Sequence, residues 1–223
     1  MDKKLLMRAL TAFLAGLILV MLPVFLPAGT LQFPRGWLFT GLLFVPMLAV
    51  GIMLLIKNPA LLKKRLDAKE SEAEQKGVVL ASGVMFLAGF ITAGLDFRFD
   101  WLQIPMWISL LAAVLFLLSY AMYAEVLREN TYLSRTVRVQ ENQKVIDTGL
   151  YGIVRHPMYS ATVLMFLSIP LMLGSAISFC IFLVYPFLIA ARIQNEENVL
   201  QNGLEGYREY QKKVRYRLIP FIW

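Results

Sequence analysis

The one histidine of this 223-residue chain, His156, lies in "GLYGIVRHPMYS" between Arg155 and Pro157. Further on, "ARIQNEENVLQNG" sets Arg192 one helical turn before Glu196, with Glu197 directly after it. Arginine and histidine hold anionic groups, and a carboxylate accepts hydrogen bonds from hydroxyls or an ammonium. Pro157 suits the first turn of a helix, because its missing N–H would have been unpaired there anyway. Arg155 and His156 then sit at a helix N-terminal mouth, whose N–H groups and positive end favour an anion. Taken alone, Arg-His-Pro reads more readily as a juxtamembrane arginine on lipid phosphate, with tyrosines in the interfacial belt. The second cluster changes the balance. Two adjacent acids at the end of a membrane helix run against the sign that neighbouring basic loops favour.

The two clusters come together if the last apolar runs form a hairpin, since its entry and its exit then lie on one side. A pocket there has cationic groups on one wall and Glu196 and Glu197 on the other, with Tyr151, Val145, Ile146 and Tyr159 as apolar and aromatic surfaces. The complementary ligand is a zwitterion with a flat aromatic end, and S-adenosylmethionine has that form. No Gly-rich dinucleotide loop or P-loop of the usual spacing is present. One histidine and one cysteine, Cys180, are too few soft ligands for a zinc or haem site, and no metal is expected.

The elements that must position these residues are read from composition. The chain is 58% apolar and 17% charged, against roughly 45–50% and 25% for a soluble domain. The excess falls in six runs, residues 5–26, 36–56, 77–95, 101–124, 158–174 and 175–192. Most approach the roughly 20 residues that span a bilayer. The expected fold is an all-α polytopic bundle with a C-terminal helical hairpin and an amphipathic cytoplasmic helix. Residues 1–124 form a four-helix transmembrane region, and residues 125–223 carry the polar chemistry. The first run is expected to be a retained span, because "FLPAGT" lacks a small-x-small cleavage site.

With both termini cytoplasmic, every lysine and arginine except Arg35 and Arg98 falls in an inner segment, as the positive-inside rule demands. The net charge of +7 therefore reads as topology and headgroup contact, not nucleic-acid binding. The loop 57–76 is expected to form a short surface helix, and "TVRV" and "KVI" have extended character. After the acids, Val199, Leu200, Leu204, Tyr207, Tyr210 and Val214 recur at helical spacing, although Gly203 and Gly206 weaken that segment.

Residues 130–223 resemble the isoprenylcysteine carboxyl methyltransferase family and, more loosely, phospholipid methyltransferases. The resemblance rests on "TVRVQENQKVIDTG", Arg-His-Pro-x-Tyr, a tight hairpin, Arg-x-x-x-Glu-Glu, Gly-Tyr-x-x-Tyr and Arg-Leu-Ile-Pro. It implies an intramembrane enzyme that binds S-adenosylmethionine in a cytoplasmic cavity roofed by the C-terminal segment. A lipophilic acceptor would enter from the bilayer. Carried over by position, Gln140, Gln143, Lys144, Val145, Ile146, Tyr151, His156, Pro157, Met158, Tyr159 and Glu196 are cofactor-contacting, and Arg192 is a substrate-side arginine. The segment between Gln140 and Gln143 is shorter than in the eukaryotic enzymes.

Two rivals carry different chemistry. Membrane sterol reductases share a similar Arg-His-Pro-x-Tyr and a similar ending and use NADPH, but a 2′-phosphate site wants basic residues where Glu196 and Glu197 stand. A transporter is disfavoured by spans almost free of ionisable residues.

Overall fold

The computed structural model describes residues 3–67, 73–130, 132 and 139–223. The chain is helical: α1 (Lys3–Ala28), α2 (Pro34–Lys57), α3 (Pro59–Asp67), α4 (Ala73–Phe99), α5 (Met106–Glu129), α6 (Pro157–Leu173), α7 (Ala176–Phe182), α8 (Tyr185–Gly203) and α9 (Tyr207–Lys213). A short 3₁₀ turn, Gly149–Gly152, precedes α6. Among the described residues the only β pairing is an isolated antiparallel bridge between Gln103 and Ser175.

Each apolar run of the sequence is helical, and five stretches are long and apolar enough to cross a membrane. Helix α6, with 17 residues, lies at the short edge of that range. The chain is thus a multi-pass integral membrane protein of all-α class. The last run is not one helix but two, α7 and α8, separated at Leu183 and Val184. Pro186 explains the break: it donates no amide hydrogen, and its ring clashes with the carbonyl four residues back, at Phe182. Pro170 stays inside α6, as membrane helices tolerate where neighbours re-satisfy the freed groups.

The loop 57–76 contains α3 as expected, with residues 68–72 outside the described ones. Most of "TVRV" also lies outside them, and "KVI" is irregular chain. The C-terminal amphipathic pattern is divided at Leu204–Gly206, where Gly206 takes φ 80°. That left-handed conformation costs glycine nothing, so α8 ends and α9 folds back.

Contacts group the residues into two compact units. The first comprises Met1–Lys69, Phe86–Ala113 and Ile169–Ile181. Within it α4 approaches α1 closely at Gly94, where an added Cβ would lie 2.4 Å from the Val24 carbonyl oxygen. Helix α6 ends in a Schellman motif: Gly174 is at φ 84°, its N–H donates to Leu171 O, and Ser175 N–H donates to Pro170 O. Arg35 braces this end by donating to Gln103 Oε1 (3.2 Å) and Ile104 O (2.8 Å). The fully buried Asp96 accepts from Leu102 N–H at 2.8 Å and from the Ser175 hydroxyl. The second unit comprises Glu70–Met85, Val114–Ser168 and Phe182–Trp223, and it holds every candidate site residue.

Candidate functional site

His156 begins α6. Its carbonyl accepts from the amides of Tyr159 and Ser160, at 3.0 and 3.2 Å, while Pro157 supplies the first helical residue. The N–H groups of Arg155 and His156 are taken by the tail of the chain, donating to Tyr216 O and Arg217 O, both at 2.9 Å. Ser160 Oγ adds a hydrogen bond to Leu218 O at 2.5 Å. The tail then closes on itself, with Leu218 and Ile219 amides donating to Trp223 O. Residues 214–218 are thereby stitched along the start of α6, and these two amides serve the fold and not a free anion.

Glu197 is the centre of the arrangement. It is 2% exposed, and Arg155, 8% exposed, donates from Nε to Oε1 at 2.7 Å. His156 Nε2 lies 3.2 Å from the same oxygen, and Arg217 Nε donates to Oε2 at 2.8 Å. Arg155 Nη1 also donates to Val214 O and Arg215 O, each at 2.8 Å. A buried charge is tolerated only when paired and hydrogen-bonded, and here one carboxylate meets two guanidinium groups and an imidazole. Both of its oxygens are occupied, so it holds the tail to α6 and fixes the His156 ring.

Glu196 has a different environment. One residue along α8 is a rotation of about 100°, and that turns Glu196 to a partly exposed position. Its Oε2 accepts from Tyr159 OH at 2.6 Å, and Tyr159 OH in turn accepts from Arg192 Nε at 2.9 Å. The Arg192 guanidinium lies 6.0 Å from the Tyr159 ring centroid, and the His156 ring stacks on that same tyrosine with centroids 5.8 Å apart. The predicted helical turn between Arg192 and Glu196 is therefore real, and Tyr159 stands between them as the bridging hydroxyl.

A third set comes from the loop before α6. Tyr151, on the 3₁₀ turn, accepts from Asn130 Nδ2 through its hydroxyl (2.9 Å) and from Tyr210 OH through its carbonyl (2.7 Å). Burial pushes the Tyr151 phenol up to about 12, and it raises the phenols of Tyr210 and Tyr207 further above their ordinary value. Val145, with Val139 and Leu200, packs on the buried group Leu204, Tyr207, Tyr210 and Val214. Lys213 Nζ donates to Asp147 Oδ2 at 2.6 Å, and the bound ammonium holds the Asp147 carboxyl below its usual range.

Six of the predicted residues, Arg155, His156, Tyr159, Arg192, Glu196 and Glu197, thus share one connected neighbourhood, with Pro157 starting the helix that carries Tyr159. Tyr151 and Val145 join it through α9. Gln140 and Gln143 pair locally, Gln140 N–H donating to Gln143 Oε1 at 2.8 Å; Lys144 is exposed, and Ile146 and Met158 are half-buried. The sequence reading did not single out Arg217, which completes the ion cluster. Its only signal was its place in Arg-Leu-Ile-Pro.

Residues 105–205, just under half of the chain, match the family model described as phospholipid methyltransferase. The matched interval contains the clusters at 155–159 and 192–197 and stops before α9 and the tail. The chain is also similar to the delta(14)-sterol reductase TM7SF2 of Mus musculus, at 30% identity over 91 residues. That alignment covers 40% of this chain and 22% of the reductase, so the chain spans a minor part of that relative's length.

Proposed function

We propose that the chain is an integral membrane methyltransferase that uses S-adenosylmethionine and methylates a lipid-like acceptor. The observation that carries this is the division of labour between two adjacent acids. Glu197 is spent on Arg155, His156 and Arg217, whereas Glu196 stays partly exposed on a chain of fixed polar groups. The match of residues 105–205 to a methyltransferase family supports the same reading.

The residues present fit the cofactor. Glu196 can accept from its hydroxyls, and Tyr151, Val145 and Tyr159 offer aromatic and apolar surface to its base. When bound, the cofactor supplies an electrophilic methyl group on a sulfonium, which leaves as the acceptor's new substituent while the sulfur keeps the bonding pair. The protein's part is alignment and exclusion of water, and holding reactants in line contributes on the order of 7–11 kcal/mol. Arg192, set beside Tyr159, supplies positive charge to steer an anionic acceptor. We favour carboxyl O-methylation of an isoprenylcysteine-like lipid, at a site on the cytoplasmic side. An ionised carboxylate needs no base. A phospholipid amine would have to shed a proton, and Glu196 is the group that would take it.

Similarity to the sterol reductase favours a second reading, an NADPH-dependent oxidoreductase. The acidic pair opposes it, because a 2′-phosphate wants cations at that place. Thermal unfolding of the protein in detergent separates the two. S-adenosylhomocysteine should raise the transition and NADPH should leave it unchanged; the reverse result overturns the methyltransferase reading.

A further inference from the structure

Residues 219–222 form a tight turn that the other described residues leave open. Ile222 N–H donates to Ile219 O at 3.2 Å, with Pro220 in the second position and Phe221 in the third at φ 66°. Proline second and a positive φ third are the marks of a type II turn, whose third residue is normally glycine or asparagine. A phenylalanine in the left-handed region is strained, because its Cβ crowds the following carbonyl. The turn is nonetheless closed from both sides. Leu218 and Ile219 amides donate to Trp223 O at 2.8 and 3.0 Å, and Trp223 N–H donates back to Ile219 O at 3.1 Å. The strain is not offset inside the protein. The Phe221 ring meets the Tyr216 ring with centroids 5.4 Å apart, yet Phe221 stays 86% exposed and Ile222 78%.

Two observations say what covers this turn. The first is its level. Residues 216–218 are hydrogen-bonded to Arg155, His156 and Ser160, at the first turn of α6. Helix α6 has 17 mostly apolar residues, close to the minimum for crossing a bilayer, so its first turn lies where the chain enters lipid. The turn at 219–222 is carried at that same level, where lipid is already present. The second is charge. The stretch "KKVRYR", residues 212–217, brings four basic residues and no acid. Lys213 and Arg217 are paired with Asp147 and Glu197, whereas Lys212 and Arg215 are exposed. The half-buried Trp223 has the Arg217 guanidinium 5.3 Å from its ring centroid. Exposed apolar side chains beside aromatic and basic ones suit the interface of an anionic membrane.

We infer that the turn at 219–222 is a membrane-interface anchor: Phe221 and Ile222 enter the edge of the acyl region, and Lys212 and Arg215 meet anionic headgroups. Burial of the two apolar side chains in lipid offsets the strain at Phe221. The same tail carries Arg217 to Glu197, so the bilayer holds the ion cluster in place through the turn. This surface is separate from the methyltransferase reading and stands whether or not the chain transfers a methyl group.

The test uses the full chain in lipid nanodiscs of phosphatidylcholine with phosphatidylglycerol. Cys180→Ala removes the one native thiol. A nitroxide is then attached through Ile222→Cys or, as the water-exposed reference, through Glu205→Cys. Power saturation reads collisions with oxygen and with a water-soluble nickel chelate. The label at 222 should favour oxygen and the label at 205 the chelate. A label at 222 as open to the chelate as that at 205 overturns the inference. So does one shielded from both reagents, because protein then covers the turn. Nanodiscs of phosphatidylcholine alone should lower the oxygen preference at 222, and no change overturns the part given to Lys212 and Arg215. A second measurement keeps the native cysteine. In the phosphatidylglycerol nanodiscs, trypsin should cut Ile222→Ser after Arg215 and Arg217 about 5- to 30-fold faster than wild type, the factor for losing part of a buried isoleucine. Equal rates overturn the inference.

Discussion

Glu197→Ala is expected to release the tail. Glu197 is 2% exposed and accepts from Arg155 at 2.7 Å, from Arg217 at 2.8 Å and from the His156 ring at 3.2 Å. Arg217, with its side chain one-third exposed (33%), recovers water when the acid is removed, so its pair contributes little. Arg155 cannot: at 8% exposure it is left with only the carbonyls of Val214 and Arg215. Stranding one member of a buried pair costs about 3–5 kcal/mol. For a domain of this size that is a fall in melting temperature of about 6–20 °C. Glu197→Gln, which keeps the shape and one acceptor, should fall between the two. The assay is thermal unfolding in detergent, joined with limited trypsin digestion, since Arg215 and Arg217 lie in the tail that the network holds. Wild type should be cut slowly after these residues and Glu197→Ala rapidly. A Glu197→Ala protein with unchanged melting and a protected tail would refute the claim that this carboxylate fastens the tail to α6.

Tyr210→Phe removes a buried hydrogen bond and leaves Tyr151 O without its 2.7 Å donor. It should destabilise the protein by about 1–3 kcal/mol, read as a lowered unfolding transition. Gly94→Ala places a methyl 2.4 Å from the Val24 carbonyl oxygen, so α1 and α4 must separate. The expected loss is about 1–3 kcal/mol, checked by the same melt. The Asp147–Lys213 pair makes a pH-dependent fastening of α9. The folded-state carboxyl is held below its usual 3.8 by the ammonium, so the contribution is present above that value and is lost as pH falls through the lower folded one. Hydrogen exchange of residues 207–213 should rise below about pH 4 in wild type, whereas in Asp147→Asn it should already be raised at neutral pH.

Much of this arrangement was legible in the sequence because a few local rules act strongly in a bilayer. Apolar runs gave the spans, Pro157 marked the start of α6, Gly174 its end, and the spacing of Arg192 and Glu196 their shared face. Two things were not legible. Adjacent acids look alike in sequence, and only the long-range return of Val214–Leu218 buries Glu197 and leaves Glu196 partly open. Arg217 belongs to a segment whose local pattern reports charge, not the partner reached across tens of residues. The division of the last run into α7 and α8 was signalled by Pro186, but the run's hydrophobicity hid the break.

The central claim is methyl transfer at the Glu196 site. Incubation of the purified protein with S-adenosylmethionine carrying a labelled methyl group and with a total membrane extract tests it most directly. The account predicts label in the lipid-soluble fraction, at least tenfold reduced by Glu196→Gln (about 1.4 kcal/mol of lost recognition) while the variant's unliganded melting stays near wild type. It is contradicted if wild type transfers no label while oxidising NADPH in the presence of an unsaturated sterol.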